Sequence, residues 1–446
     1  MTAAECLAPS WSAAYLGKSR RKTRSFCGAL LFVTLFSIVF LPEFPRLAAD
    51  EPLLPFVKVA VGFRWIDLFL ILLVLCHIVG FVALRRRQIG LPRNLALPGL
   101  AFLGCIAAAI GYGWRHGGSN FFFDWRGLAL GVGLYFVWSF WMQTPSDVAT
   151  AARVFVVYAG VRIALLFALH VAGRGEVLGG VAIPTFDGPM LSCAVFAALL
   201  AFSLREHRLW HKLIFGTIGL TACLFVLLCL RRTYWGELAI GGLILLVLRR
   251  RNRARSFALA AAAVAITAIL LGSSFSARLQ SLDVTQDDTQ FSADNADHLY
   301  DLIDAWVQVR QSPLMGIGLG TAYPTWHIRN WKPDSVMVHN APLHVWLKYG
   351  LAGLACYLWF HLALLRWLWR QAREARSRNA DFLAAAFAYL TAQFVMTLGF
   401  APWPYSELQL TTLMSFIVAA AVVGAESICT ALAYDAPHTL CDHSFL

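Results

Sequence analysis

The sequence predicts an all-α polytopic membrane protein, with about twelve transmembrane helices and one large external loop that contains an amphipathic helix. Hydrophobic residues make up 59% of the 446, more apolar surface than one soluble core can hide, so part of it must face lipid. The apolar residues fall into runs near the length a bilayer requires, roughly 20 residues. Lys and Arg, which leave a net charge of +12, gather in short clusters beside alternate ends of those runs. That distribution encodes membrane orientation and argues against a nucleic-acid surface.

In chain order the runs lie near residues 25–42, 64–84, 95–113, 121–142, 150–172, 187–204, 213–230, 234–248, 256–272, 340–365, 383–400 and 407–430. The eighth is the shortest. Ahead of the first stand Lys18, Arg20, Arg21, Lys22 and Arg24, as in a signal peptide, but no small-x-small cleavage site follows Leu41, so this run reads as an uncleaved first helix. With the N-terminus inside, the cytoplasmic segments hold that cluster, then Arg85, Arg86, Arg87 and Arg93, then Arg205, Arg208 and Lys212, then the basic run 249–255, and finally Arg366 through Arg378. The opposite segments are poor in Lys and Arg, so one orientation suits the whole chain and leaves both termini in the cytoplasm. Trp65, Trp114, Trp138, Trp141, Trp235 and Trp403 fall at span boundaries, where amphipathic rings sit at headgroup depth. Of the ten cysteines, most lie inside apolar runs and none forms a CxxC pair, which indicates neither a disulfide framework nor a zinc site.

The external segment 273–338 is the only sizeable polar one, and it carries Asp283, Asp287, Asp288, Asp294, Asp297, Asp301 and Asp304. Within it Leu299, Leu302, Ile303, Trp306 and Val309 recur at helical spacing, which predicts an amphipathic helix packing that stripe onto the membrane domain as a lid. Ser312-Pro313 ends the helix. The stretch MGIGLG then places Gly316, Gly318 and Gly320 at alternate positions, a flexible or close-approach loop; no strand precedes it, so it is no dinucleotide fingerprint.

His339 stands where this segment enters the tenth run. Asn340 suits a helix N-cap, and Pro342 is tolerated in a first turn because its missing N–H would have had no helical partner. The unpaired N–H groups and positive dipole end of such a turn attract anions, so a neutral imidazole there is placed to act as a base beside phosphate oxygens. The other reading is a boundary histidine hydrogen-bonded to its loop. His339 and His344 point about 140° apart round a helix, so they make no facing metal pair. Arg231 and Arg232 close the seventh run on the outer side, against the charge rule. Two guanidiniums there suit two-pronged binding of a phosphate or diphosphate, unless they only snorkel to headgroups. No Ser-His-Asp arrangement, HExxH or P-loop appears, and the cytoplasmic loops are too short to fold a nucleotide-binding domain. An enzyme of this shape would take its energy from the lipid substrate.

The stretches DHLYDLIDAWVQVRQSPLMGIGLGTAYP and HNAPLHVWLKYGLAGLACYL resemble the signature region of the O-antigen ligase and O-antigen polymerase superfamily of bacterial polytopic membrane glycosyltransferases. Pro313, Gly316, Gly318, Gly320, His339, Asn340, Gly350 and Gly353 fit that pattern, which covers about sixty residues. The resemblance implies inverting glycosyl transfer, without metal or cofactor, from an undecaprenyl-diphosphate-linked oligosaccharide to a hydroxyl of a glycan or lipid A core acceptor. It implies an inner-membrane protein whose active site faces the periplasm. His339 matches the catalytic histidine, and Arg232 or Arg231 the arginine that contacts diphosphate. Where the family often has a second arginine opening the amphipathic helix, this chain has His298, and Arg278 is the candidate to compensate. Asn340, Gly316, Gly318, Gly320 and His298 would shape the site. The expected organisation is spans one to nine over 1–272, a periplasmic loop or lid over 273–339, spans ten to twelve over 340–430, and a cytoplasmic tail over 431–446. An O-antigen ligase and a polysaccharide polymerase of lipopolysaccharide or exopolysaccharide are equally compatible. A flippase for lipid-linked glycan would also have many spans, but its ionisable residues would lie at mid-membrane, where this chain has little beyond Arg162.

Overall fold

Nearly every apolar run is a helix in the computed structural model, which describes residues 28–37, 58–60, 63–83, 91–116, 121–169, 177–178, 181–182, 188–206, 208–229, 231–248, 290–325, 334–335, 338–374, 379–398 and 408–435. The helices are α1 (Gly28–Ser37), α2 (Trp65–Ala83), α3 (Arg93–Arg115), α4 (Phe121–Trp141), α5 (Pro145–Leu169), α6 (Gly188–Ser203), α7 (Leu209–Leu228), α8 (Arg232–Leu248), α9 (Gln290–Gln311), α10 (Ala341–Glu374), α11 (Ala380–Thr397) and α12 (Leu408–Asp435). Six of them, α3, α5, α7, α10, α11 and α12, are long and apolar enough to cross a membrane, counting only the described residues. The chain is therefore a multi-pass membrane protein. The expected ninth span, 256–272, and the basic run 249–255 lie outside the described residues, as does Arg278.

The all-helical expectation needs one amendment. Among the described residues three antiparallel strand pairs occur, β1 (Lys58–Ala60) with β2 (Phe63–Arg64), β3 (Val177–Leu178) with β4 (Val181–Ala182), and β5 (Tyr323–Pro324) with β6 (Asp334–Ser335). Each strand is two or three residues long, too short to show as an alternating pattern in sequence.

Small residues set the centre of the bundle. Helices α6, α11 and α12 are buried on nearly all sides, and their alanine-rich faces let neighbouring backbones approach. Gly131 of α4 meets Thr411 of α12 so closely that an added Cβ would lie 2.3 Å from the threonine methyl. Beside this contact Phe32, Phe36, Trp138, Phe155 and Phe416 interlock with ring centroids 4.4–6.0 Å apart. On the outside, Leu72, Val79, Leu100, Val161, Leu213, Leu243 and Leu362 are exposed, an apolar belt suited to lipid and a liability in water. At the basic end, the Arg205 backbone N–H donates to Asp381 Oδ2 at 2.7 Å and Arg153 pairs with Glu206 at 2.8 Å, which ties α5, the α6–α7 connection and α11 together.

Helix α10 differs from the continuous run that its sequence suggests. Gly350 interrupts it with φ 71° and ψ −175°, giving an outer part, 341–349, and an inner part, 351–374. The break frees two carbonyls, and the glycine loop takes both: Ile317 N–H donates to Leu347 O at 2.7 Å and Gly318 N–H to Lys348 O at 3.2 Å. Leu319 N–H continues the contact to Ala109 O of α3 at 3.2 Å, and Leu351 N–H turns to Pro313 O at 3.1 Å. Of the two expectations for the MGIGLG stretch, close approach is the one realised. Gly316, Gly318 and Gly320 have φ of 69°, 84° and 77°, and a Cβ on Gly318 would sit 2.7 Å from the Gly113 nitrogen.

Helix α9 forms where expected but turns nearly its opposite face inward. Asp301, Asp304, Ala305 and Val309 are buried, at helical spacing, against Tyr323, Val338 and Leu347. Leu299, Ile303 and Trp306 of the expected packing stripe are 51%, 41% and 42% exposed. Of that stripe Val309 is buried and Leu302 half-buried, while Trp306 touches α10 through the edge of Trp346. Carboxylates with bonding partners inside reverse the polarity pattern usual for a docked amphipathic helix.

Candidate active site

His339 occupies the last position before the α10 N-cap. Asn340 caps as its type suggests: its Oδ1 accepts the Leu343 N–H at 2.9 Å, and its backbone carbonyl accepts the His344 N–H at 2.8 Å. The same side chain donates from Nδ2 to Leu398 O at 2.8 Å, which fastens the start of α10 to the end of α11.

The ring of His339 rests on a carboxylate that the sequence reading did not single out. Asp301 Oδ2 receives the His339 backbone N–H at 2.9 Å and lies 3.2 Å from the ring Nδ1. Asp301 Oδ1 receives the Tyr323 hydroxyl at 2.5 Å. The aspartate side chain is wholly buried, whereas that of His339 keeps 22% of its surface. Three separate pieces of chain thus meet at one carboxylate: α9, strand β5 and the α10 entry.

Below this contact lie further buried polar groups. His344 Nδ1 accepts the Val338 N–H at 3.4 Å, so His344 supports the turn and does not join His339 at a shared ligand. Lys348, also buried, donates from Nζ to Thr321 O beside the glycine loop. Asp304 is as deeply enclosed as Asp301.

Arg231 and Arg232 stand at the start of α8, the first exposed and the second half-buried. An added Cβ on Gly236 would lie 2.6 Å from Met396 Sδ and one on Gly241 3.6 Å from Ala388 O, so α8 and α11 run antiparallel. The start of α8 therefore lies beside the end of α11, where Asn340 is bonded. The arginine pair and His339 share one end of the bundle. Glu237, one turn further into α8, is buried with no hydrogen bond to its Oε2. Gly316 and Gly318 bear on the site indirectly, by bracing the outer part of α10: Gly316 lies against the Leu347 backbone and Gly318 donates to Lys348 O, while Gly320 follows in the same loop with φ 77°. His298 falls in α9, one turn before Asp301, but its side chain lies outside the described residues.

Asp301 and Tyr323 are the site residues that sequence reasoning missed. The available signal was the spacing Asp301, Asp304, Ala305, Val309, one helical face that mixes acids with apolar residues. Only a partner 38 residues away in the chain gives that face meaning.

Comparison with known proteins bears on the same stretch. A family model described as O-antigen ligase matches residues 217–358. Over 197 residues, 39% of this chain, the sequence is 25% identical to the O-antigen ligase of Salmonella typhimurium. That match spans 44% of the relative, less than half its length. The segment that holds Arg231, Arg232, Asp301, His339 and Asn340 is thus the part of the chain that is similar to the O-antigen ligase family.

Proposed function

We propose that the protein is a glycosyltransferase of the bacterial inner membrane that acts at the periplasmic face. It moves a glycan from an undecaprenyl-diphosphate carrier to an acceptor hydroxyl. The observation that carries this reading is the placement of His339, at a capped helix entry and at the same end of the bundle as two adjacent arginines, within the segment similar to O-antigen ligases.

His339 takes the proton of the acceptor hydroxyl as that oxygen attacks the anomeric carbon. The bond from the anomeric carbon to the diphosphate oxygen breaks, and the diphosphate leaves with the electron pair, inverting the centre. Arg231 and Arg232, joined by Arg278, stabilise the charge gathering on the leaving group. Two adjacent guanidiniums supply the cationic contact that a divalent ion gives other phosphate-handling enzymes. The positive end of the α10 dipole favours the same anion. The acceptor is a lipid A core or a second lipid-linked repeat, and the acceptor alone distinguishes ligase from polymerase.

The test is transfer by the purified full-length protein, given lipid-diphosphate glycan and acceptor, with and without chelator. His339→Ala should stay inserted and bind donor while losing transfer by roughly 10² to 10⁴-fold, the usual effect of removing a general base. Full activity of that variant, or loss of wild-type transfer to chelator with recovery on adding a divalent ion, would show the chemistry to be wrong.

A further inference from the structure

We propose that Asp301, held by Tyr323, is a positioning residue for transfer: it keeps the proton of His339 on Nδ1 and so presents Nε2 as the base. The inference rests on the proposed role of His339 and adds to it which nitrogen reacts and what decides that.

A carboxylate oxygen has no hydrogen to give. The 3.2 Å contact between Asp301 Oδ2 and Nδ1 is therefore a hydrogen bond only if Nδ1 carries the proton. A neutral imidazole has one N–H and one lone pair, so the lone pair then belongs to Nε2. The carboxylate is also fixed against rotation. Its Oδ2 is bonded to the backbone N–H of the same histidine at 2.9 Å, and its Oδ1 to the Tyr323 hydroxyl at 2.5 Å. Turning the carboxylate would break both. Ring and main chain of His339 are thus registered to one buried group, which removes the freedom that a boundary side chain would otherwise have.

Burial separates the two roles. Asp301 is fully enclosed and cannot meet an acceptor sugar, while His339 retains an open edge. During transfer the acceptor O–H bond breaks and an N–H bond forms at Nε2, giving an imidazolium with protons on both nitrogens. That cation would lie directly against Asp301, and the proton then passes to water or to the departing diphosphate. The competing explanation is that Asp301 only staples α9 to the α10 entry.

Kinetics of the full-length protein with lipid-diphosphate donor separate the two. Asp301→Asn should lower kcat by roughly 10- to 10²-fold, less than loss of the base itself, while leaving the donor KM and the thermal midpoint near wild type. Tyr323→Phe should lower kcat by a smaller factor, again at unchanged KM. The double variant Asp301→Asn with His339→Ala should be no slower than His339→Ala alone, because a residue acting through the histidine has nothing left to act on. A wild-type kcat for Asp301→Asn beside an inactive His339→Ala overturns the proposal, and so does a double variant slower than His339→Ala by the full Asp301→Asn factor. An active His339→Ala sinks instead the base assignment beneath it. Should Asp301→Asn fail to fold, Tyr323→Phe decides: a wild-type kcat there overturns the proposal and a several-fold drop at constant KM supports it.

Discussion

Trp306 stands edge-on to Trp346, with ring centroids 5.4 Å apart and planes at 75°, on the outward side of α9. The Arg310 guanidinium lies 6.0 Å over the Trp306 ring. Apart from this contact the apolar face is exposed, and the buried side of α9 is the one that carries Asp301, Asp304, Ala305 and Val309.

Substitution should tell the two faces apart. Val309→Asp puts a charge on a side chain that is 2% exposed, packed with Ala305, Tyr323, Val338 and Leu347, and should release α9 from the bundle. Trp306→Gln, at a half-exposed position, should leave the docking intact. Limited proteolysis in detergent reads both, with new cleavage near α9 expected for Val309→Asp alone. Equal cleavage of the two variants would mean that the packing face is misassigned.

Arg232 gives a second contrast. Arg232→Ala should reduce kcat/KM for lipid-linked donor by about 10- to 10²-fold, the scale of a lost hydrogen bond to a charged group. Arg232→Lys should recover only part of it, since an ammonium cannot grip a diphosphate with two parallel N–H groups. Full recovery with lysine would assign Arg232 to headgroup contact.

Backbone geometry supplies a third. Gly350→Ala forces a Cβ onto φ 71° and to 2.0 Å from Leu314 O, so it should cost more than 1 kcal/mol and lower the thermal midpoint in detergent. Gly242→Ala, in α8 with nothing within 4 Å of the new Cβ, should be neutral or slightly stabilising. Equal midpoints for the two variants would remove the break at Gly350 as a structural requirement.

Sidedness is the fourth. Alkaline phosphatase fused after Asp297 should be active in cells, because the proposed chemistry needs that segment in the periplasm. Activity from a fusion after Arg253 would reverse the orientation and remove the site from the face where its donor is presented.

Where a single local rule operates, the sequence is a good guide. A bilayer imposes a minimum apolar length, so the ends of α3, α4, α6 and α8 fall within two residues of the limits drawn from composition and charge. The Asn340 cap spans three residues and was equally legible. The break at Gly350 was not, because a positive φ inside an apolar run becomes stable only when Ile317, Gly318 and Pro313 arrive to meet the exposed backbone. Asp301 belongs to the same class, its partners lying 22 and 38 residues away. The face of α9 was misread for a different reason. Helical periodicity identifies an apolar stripe but not the medium it faces, and near a membrane the apolar side can be the outer one.

The division of α10 also has a mechanical side. At 1.5 Å per residue the inner part, 351–374, is about 36 Å long, more than the roughly 30 Å of a hydrocarbon core. The bilayer can therefore be crossed without the outer part, and 341–349 is spared from matching membrane thickness. The break at Gly350 separates that rod from the turn that carries His339, whose own footing is Asp301, the glycine loop and the end of α11. The turn that carries His339 is thus moored separately from the rod long enough to span the bilayer.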